Sequence, residues 1–218
     1  MLLKKAGFQV IFPNELNNLC CGMAFASKEY KDQGDKKTTE LLKSLLKASE
    51  GGKYPVLFDM SPCLHRTREF ISAQIKDIKI EHSEISKLNI YEPVEFILHF
   101  AADRLKFRKL DRTVAVHSTC SSTKMGLKDK LITLAEMCVT NVIIPQSIGC
   151  CGWAGDRGFT HPELNASALK DLRSSLPSDC SAGYSTSRTC EIGLSMHSGI
   201  NYESIIYLVD ECTSAKKD

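Results

Sequence analysis

Hydrophobic and polar positions along the chain follow two periods. Over residues 36–49 and 162–175 apolar side chains recur at the three-to-four spacing of one helix face. Short apolar runs at 8–12, 54–58, 113–116 and 141–144, bounded by polar residues, glycine or proline, read instead as buried strands. The order of these elements occurs twice. Residues 2–13 and 131–145 both run from a helix end through a break into an apolar strand and a proline. Each is followed by a cysteine pair, "LCCGMA" in the first copy and "GCCGWA" in the second, and then by a helix. A strand then runs into a polar turn with a cysteine, "YPVLFDMSPC" and "SAGYSTSRTC", and a tyrosine–glutamate helix closes each copy, from Tyr91 and from Tyr202.

Short strands alternating with helices predict an α/β fold. The expected architecture is two duplicated α/β domains with mostly parallel sheets, related by a pseudo-twofold, over residues 1–110 and 111–218. The basic, polar segment 105–113 is the expected link between them. The copies differ in two places. The first carries extra sequence, including the alternating stretch 75–84. The second opens with "TVAVHSTCSSTKMG", a strand delivering Cys120 into a polar turn, which the first lacks; the first repeat is therefore read as incomplete at its N-terminus.

Composition narrows the class of function. A chain of 218 residues with 43% hydrophobic and 25% charged positions can bury a substantial core. A net charge of +2 implies no attraction to nucleic acid or to an anionic membrane. No apolar run reaches the roughly 18 residues of a membrane span, and the first residues have no secretory signal pattern. A cytoplasmic protein is expected, with attachment at the inner membrane only through a partner.

Ten cysteines, at 20, 21, 63, 120, 138, 150, 151, 180, 190 and 212, are the outlier. In a reducing compartment clustered thiols point to a soft metal or to redox chemistry rather than to disulfides. Cys120, Cys150, Cys151 and Cys190 each follow a predicted strand, so an α/β sheet gathers them at the carboxyl ends of its strands. Adjacent side chains diverge in regular structure, so both members of Cys150-Cys151 meet one centre only through a sharp turn, which Gly152 permits. Four thiolates suit an iron–sulfur cluster or zinc; the absence of C-x₂₋₄-C knuckles favours iron–sulfur.

The order C-x₂₉-C-C-G-x₃₄-SxxC resembles the cysteine-rich CCG domain. That domain occurs in tandem in the cysteine-rich subunit of heterodisulfide reductase and in the iron–sulfur subunits of glycolate oxidase and anaerobic glycerol-3-phosphate dehydrogenase. It also occurs at the C-terminus of FAD-linked D-lactate dehydrogenases. The text of "VAVHSTCSSTKMGL", "CCGWAGDRGFTHPELNASALK" and "GYSTSRTCEIGLS" is most similar to the last of these. The resemblance implies a cluster, [4Fe–4S] in type, on Cys120, Cys150, Cys151 and Cys190. It also implies a relay of electrons from a flavin that oxidises D-lactate or a related 2-hydroxyacid. Cys20, Cys21 and Cys63 form a weaker, incomplete second site. The chain departs from the family's CxxC ending, with Ser187 and Met60 where the first cysteine of that pair would stand. It also has no strand–GxGxxG–helix fingerprint, so FAD is assigned to a missing domain or to a partner chain, a flavin-containing dehydrogenase.

Other residues have plainer readings. Cys138 has the apolar spacing of a buried structural thiol, and Cys180 and Cys212 stand outside the site. His117, three residues before Cys120, reads as a loop histidine with an ordinary hydrogen bond or as a donor or ligand at the cluster. Trp153 reads as core packing. The alternative function is a metal-free or zinc-bearing docking scaffold left from a decayed cluster-binding domain; direct thiol–disulfide exchange by Cys150-Cys151 is a third.

Overall fold

The computed structural model describes residues 2–76, 84–146 and 148–216. They fall into two compact units, Val10–Glu92 and a second formed by Met1–Gln9 with Pro93–Asp218. Most of the alternating stretch 75–84 lies outside the described residues. The first short helix, α1 (Leu2–Lys5), belongs to the second unit.

Within Val10–Glu92, helix α2 (Met23–Ala26) follows the cysteine pair and α3 (Lys31–Ala48) packs beside it. Thr38, Leu41, Leu42 and Leu45 make the buried face of α3 at the spacing the sequence shows. The helix stops where Glu50, Gly51 and Gly52 take positive φ. Strand β1 (Val56–Leu57) leads into α4 (Ser61–Lys76), and β2 (Ile90–Tyr91) returns parallel to β1. The strand expected at 8–12 does not form. Among the described residues no strand pairs with this segment, and Val10, Ile11 and Phe12 remain 40%, 58% and 69% exposed.

The second unit continues with α5 (Pro93–Phe96), a π-helical turn at Ile97–Ala101, and β3 (Leu105–Phe107). Then come β4 (Leu110–Val116), α6 (Cys120–Lys124), α7 (Lys128–Cys138) and β5 (Val139–Ile143). After the second cysteine pair follow α8 (Arg157–Thr160), α9 (Pro162–Ala168), β6 (Cys180–Ser185) and α10 (Arg188–Ser198). Strand β7 (Tyr202–Ser204), α11 (Ile205–Cys212) and β8 (Thr213–Ala215) complete it. The main sheet is parallel throughout, in the order β5-β4-β6-β7, and β3 pairs antiparallel with β8. Strand β4 is buried on both faces, as a central parallel strand must be. Val114 and Val116 face a core with Leu131, Leu134, Cys138, Ile205 and Leu208. Ala115, one residue out of phase, faces the opposite core with Trp153, Leu169, Leu172, Leu194 and Tyr202.

This packing draws the boundary of the compact units differently from the expected repeat boundary at 110/111. Leu2, Ala6, Val94, Ile97, Ala101 and Leu105 all join the core on the Val114/Val116 side. The segment 105–113, expected as a polar link, is instead built into strands β3 and β4. Its charged residues alternate with Leu105, Phe107 and Leu110, which sink into that core. The helix expected over 162–175 ends at Ala168 and resumes as a single 3₁₀ turn at Arg173–Ser175.

Candidate metal centre

With strand order β5-β4-β6-β7, the chain leaves β4 toward one edge of the sheet and β6 toward the other. The crevice at such a switch point, beyond the carboxyl ends of the two strands, is where parallel α/β sheets place ligands. The turn after β4 carries His117, Thr119 and Cys120; the turn after β6 carries Thr186, Ser187 and Cys190. Hydroxyls tie the two turns together. Thr119 accepts the Ser122 backbone N–H as an N-cap, at 3.1 Å, and the Ser122 and Thr186 hydroxyls hydrogen-bond at 2.9 Å. The Ser185 hydroxyl donates to the His117 carbonyl at 2.9 Å, and the His117 N–H donates to the Tyr184 carbonyl at 3.0 Å.

The four expected cysteines of this unit meet here in a row. The Cys151 thiol donates to Cys190 Sγ at 2.9 Å, and Cys120, Cys150 and Cys151 lie near enough for each to act on its neighbour's protonation. Gly152, at φ +70°, turns the backbone between Cys150 and the helix beyond, and its N–H donates to Cys150 Sγ at 3.3 Å. The same turn recurs in the other unit, with Gly22 at φ +80° and its N–H on Cys20 Sγ at 3.4 Å. There Cys20 and Cys21 both lie close enough to Cys63 to act on its protonation.

The glycines also let a helix approach. A Cβ on Gly152 would sit 2.6 Å from the Leu164 carbonyl oxygen. From that closely packed helix Asn165 reaches back, donating to the Cys151 carbonyl; Thr38 on α3 does the same for the Cys21 carbonyl, at 2.8 Å. Neither anchor stands out by residue type. The available signal was a polar residue on an apolar helix face shortly after each cysteine pair. Trp153 is 2% exposed, closed in by Gly158 and Gly193 and met edge-on by Phe159 at 5.1 Å, so the core-packing reading of this residue holds. Cys138 and Cys212 are buried together in the opposite core, away from the row of thiols.

Electrostatics set the thiols' protonation. Contact with Cys151, together with burial, raises Cys150 well above an ordinary thiol, and burial followed by contact with Cys150 raises Cys120. The hydrogen bond with Cys150 pulls Cys151 down, but contact with Cys190 and burial outweigh it and leave this thiol at about 12. In the other unit, contact with Cys63 holds Cys21 at about 6 against the opposing effect of burial, while Cys63 is pushed up. A row of thiols this crowded keeps its protons unless a cation offsets the charge. One consequence is measurable in metal-free protein. Cys150 is exposed, yet it should alkylate at neutral pH at least about tenfold more slowly than an exposed thiol of ordinary pKa, and accelerate as pH rises. Mass-resolved labelling with iodoacetamide across pH checks this; an ordinary rate at pH 7 would contradict it.

Among the described residues no three histidine, cysteine or acidic side chains surround one point closely enough to hold a single metal ion. Around these cysteines the buried polar atoms His117 Nε2, Trp153 Nε1, Asn165 Oδ1 and Ser187 Oγ have no hydrogen-bond partner among the described residues. Each such group costs about 1–3 kcal/mol when nothing satisfies it.

Residues 114–195, which carry this row of thiols, match the family model of the cysteine-rich domain designated CCG. Beyond this match, the chain is similar to a curated protein of Oceanobacillus iheyensis named lactate utilization protein A. The two are 26% identical over 178 residues, covering 78% of this chain and 68% of that relative. The alignment is longer than the CCG match, so the similarity extends past the domain. No helix among the described residues is long and apolar enough to cross a membrane.

Proposed function

We propose that the CCG domain holds an iron–sulfur cluster, of [4Fe–4S] type, on Cys120, Cys150, Cys151 and Cys190. In this reading the chain relays electrons in the oxidation of lactate or a related 2-hydroxyacid by a flavin-bearing partner or domain. The observation that supports it is the gathering of four cysteines, Cys151 and Cys190 in direct contact, at the switch point of a parallel sheet within the stretch that matches the CCG domain. The lactate side of the reading rests on the similarity to lactate utilization protein A.

The bound cluster would supply one-electron transfer; the chain's own residues supply the setting. Cys151 and Trp153, 3% and 2% exposed, would shield one side from water, and a drier site strengthens each polar contact made to the sulfurs. Cys120 and Cys150, both exposed, leave the other side open, toward an electron donor or acceptor. We read Val10–Glu92 as part of the first copy of the duplication. Its Cys20, Cys21 and Cys63 are a partial site: the turn and two neighbouring thiols are present, and the segment Val10–Glu92 has no fourth cysteine.

Anaerobic reconstitution with iron and sulfide tests this. About four iron and four sulfide per chain are expected, with the absorption of a cluster. Zinc without sulfide, or protein that stays metal-free, would instead favour the docking scaffold.

A further inference from the structure

Two of the unsatisfied polar groups near the thiols, those of His117 and Ser187, occupy equivalent places. His117 stands three residues before Cys120 at the end of β4, and Ser187 three before Cys190 at the end of β6. These strands are hydrogen-bonded neighbours, so the two residues flank the switch point from either side. Both are buried, at 4% and 1% exposure. Ser187 is the N-cap of α10, where a serine oxygen normally accepts a backbone N–H from the first turn; here it makes no such bond. An N-cap side chain nevertheless lies over the first turn of its helix, and the third residue of that turn is Cys190. His117 is held neutral, its pKa lowered by burial to about 4, so it carries a single ring N–H. Its backbone is fixed at both ends, by the bonds to Tyr184 and Ser185, which leaves the ring little freedom to find another partner.

We infer that His117 and Ser187 are a matched pair of hydrogen-bond donors, N–H and O–H, to the sulfur atoms of the centre that Cys120 and Cys190 hold. They are positioning residues that set its reduction potential. The inference rests on the proposed cluster. A donor to a cluster sulfur stabilises the more negative, reduced state and so raises the potential. The arrangement also accounts for two polar groups left unsatisfied in the protein alone: their partner is the centre.

The test separates tuning from folding. In Ser187→Ala and His117→Leu chains the midpoint potential, from an EPR-monitored redox titration, should move to more negative values, with iron and sulfide content unchanged. Ser187→Thr and His117→Gln, which keep a donor, should return it toward the wild-type value. The metal-free Ser187→Ala and His117→Leu proteins should melt no lower than metal-free wild type, because each change removes a buried group that has no partner. Wild-type potentials in loaded Ser187→Ala and His117→Leu would overturn the inference while leaving the cluster in place. Loss of iron in Ser187→Ala that Ser187→Thr does not share would also overturn it, making the serine a ligand rather than a donor. Wild-type protein that takes up no iron and sulfide would instead fail the underlying reading.

Discussion

A Cys151→Ser chain is expected to return from anaerobic reconstitution with at least about tenfold less iron and sulfide than wild type. Of the four thiols this one has the most to lose. It touches Cys190 and lies next to Cys150, so removing it takes out the middle of the group. It is 3% exposed, and its carbonyl is fixed by Asn165, so neither backbone nor side chain can shift to bring another sulfur into place. A serine oxygen is a harder and shorter ligand than a thiolate and suits iron–sulfur chemistry poorly. Metal-free Cys151→Ser should keep its circular dichroism, because one oxygen for one sulfur barely alters the packing. Cys138→Ser is the control: the residue is fully buried in the other core, and its loss should leave iron uptake intact. Full loading of the Cys151→Ser chain would remove the thiol row from the proposal.

The largest loss of stability is expected at Gly152. Alanine there must adopt φ +70°, a left-handed conformation that disfavours a side chain by about 1–2 kcal/mol. Its Cβ would also sit 2.6 Å from the Leu164 carbonyl oxygen, 2.8 Å from Ala168 Cβ and 3.0 Å from Asn165 Cα. Two of these atoms are backbone of α9, which can yield only by lifting the helix off the turn and breaking the Asn165 anchor. Overpacking of this kind adds about 1–3 kcal/mol. The combined loss, about 2–5 kcal/mol, should lower the melting temperature of the metal-free protein by roughly 5–15 °C. Gly155→Ala supplies the comparison, since Gly155 has φ +78° but nothing within 4 Å of a built Cβ. It should suffer the conformational penalty alone. Equal melting temperatures for the two variants would refute the close-approach account of the motif's glycine.

Periodicity carried a good part of the fold. The buried face of α3, the strand at β4 and the polar turns before Cys63 and Cys190 all stand where apolar spacing puts them. Two local readings failed for a shared reason, which is that strands are decided by their partners. Residues 8–12 have strand composition but no neighbour to complete a ladder. Residues 105–113 have the polarity of a linker, yet β3 finds β8 and β4 finds both β5 and β6. Helix 162–175 broke for a different reason. Past Ala168, Leu169 and Leu172 are drawn into the core around Trp153, and the chain bends to put them there.

By itself the sequence determined the chemistry on offer: paired cysteines before a glycine, a cysteine after each predicted strand, and a near-neutral net charge of +2. These follow from residue type and spacing, which need no folded context. Only the tertiary structure decided which of the ten cysteines touch. Strand order β5-β4-β6-β7 sets the turns after β4 and β6 side by side, so residues 120 and 190, distant in the chain, approach the same cysteine pair. It also decided that His117 and Ser187 lose water without gaining a partner. Burial and pairing are properties of neighbours brought together across the sheet, and no local pattern of residues encodes them.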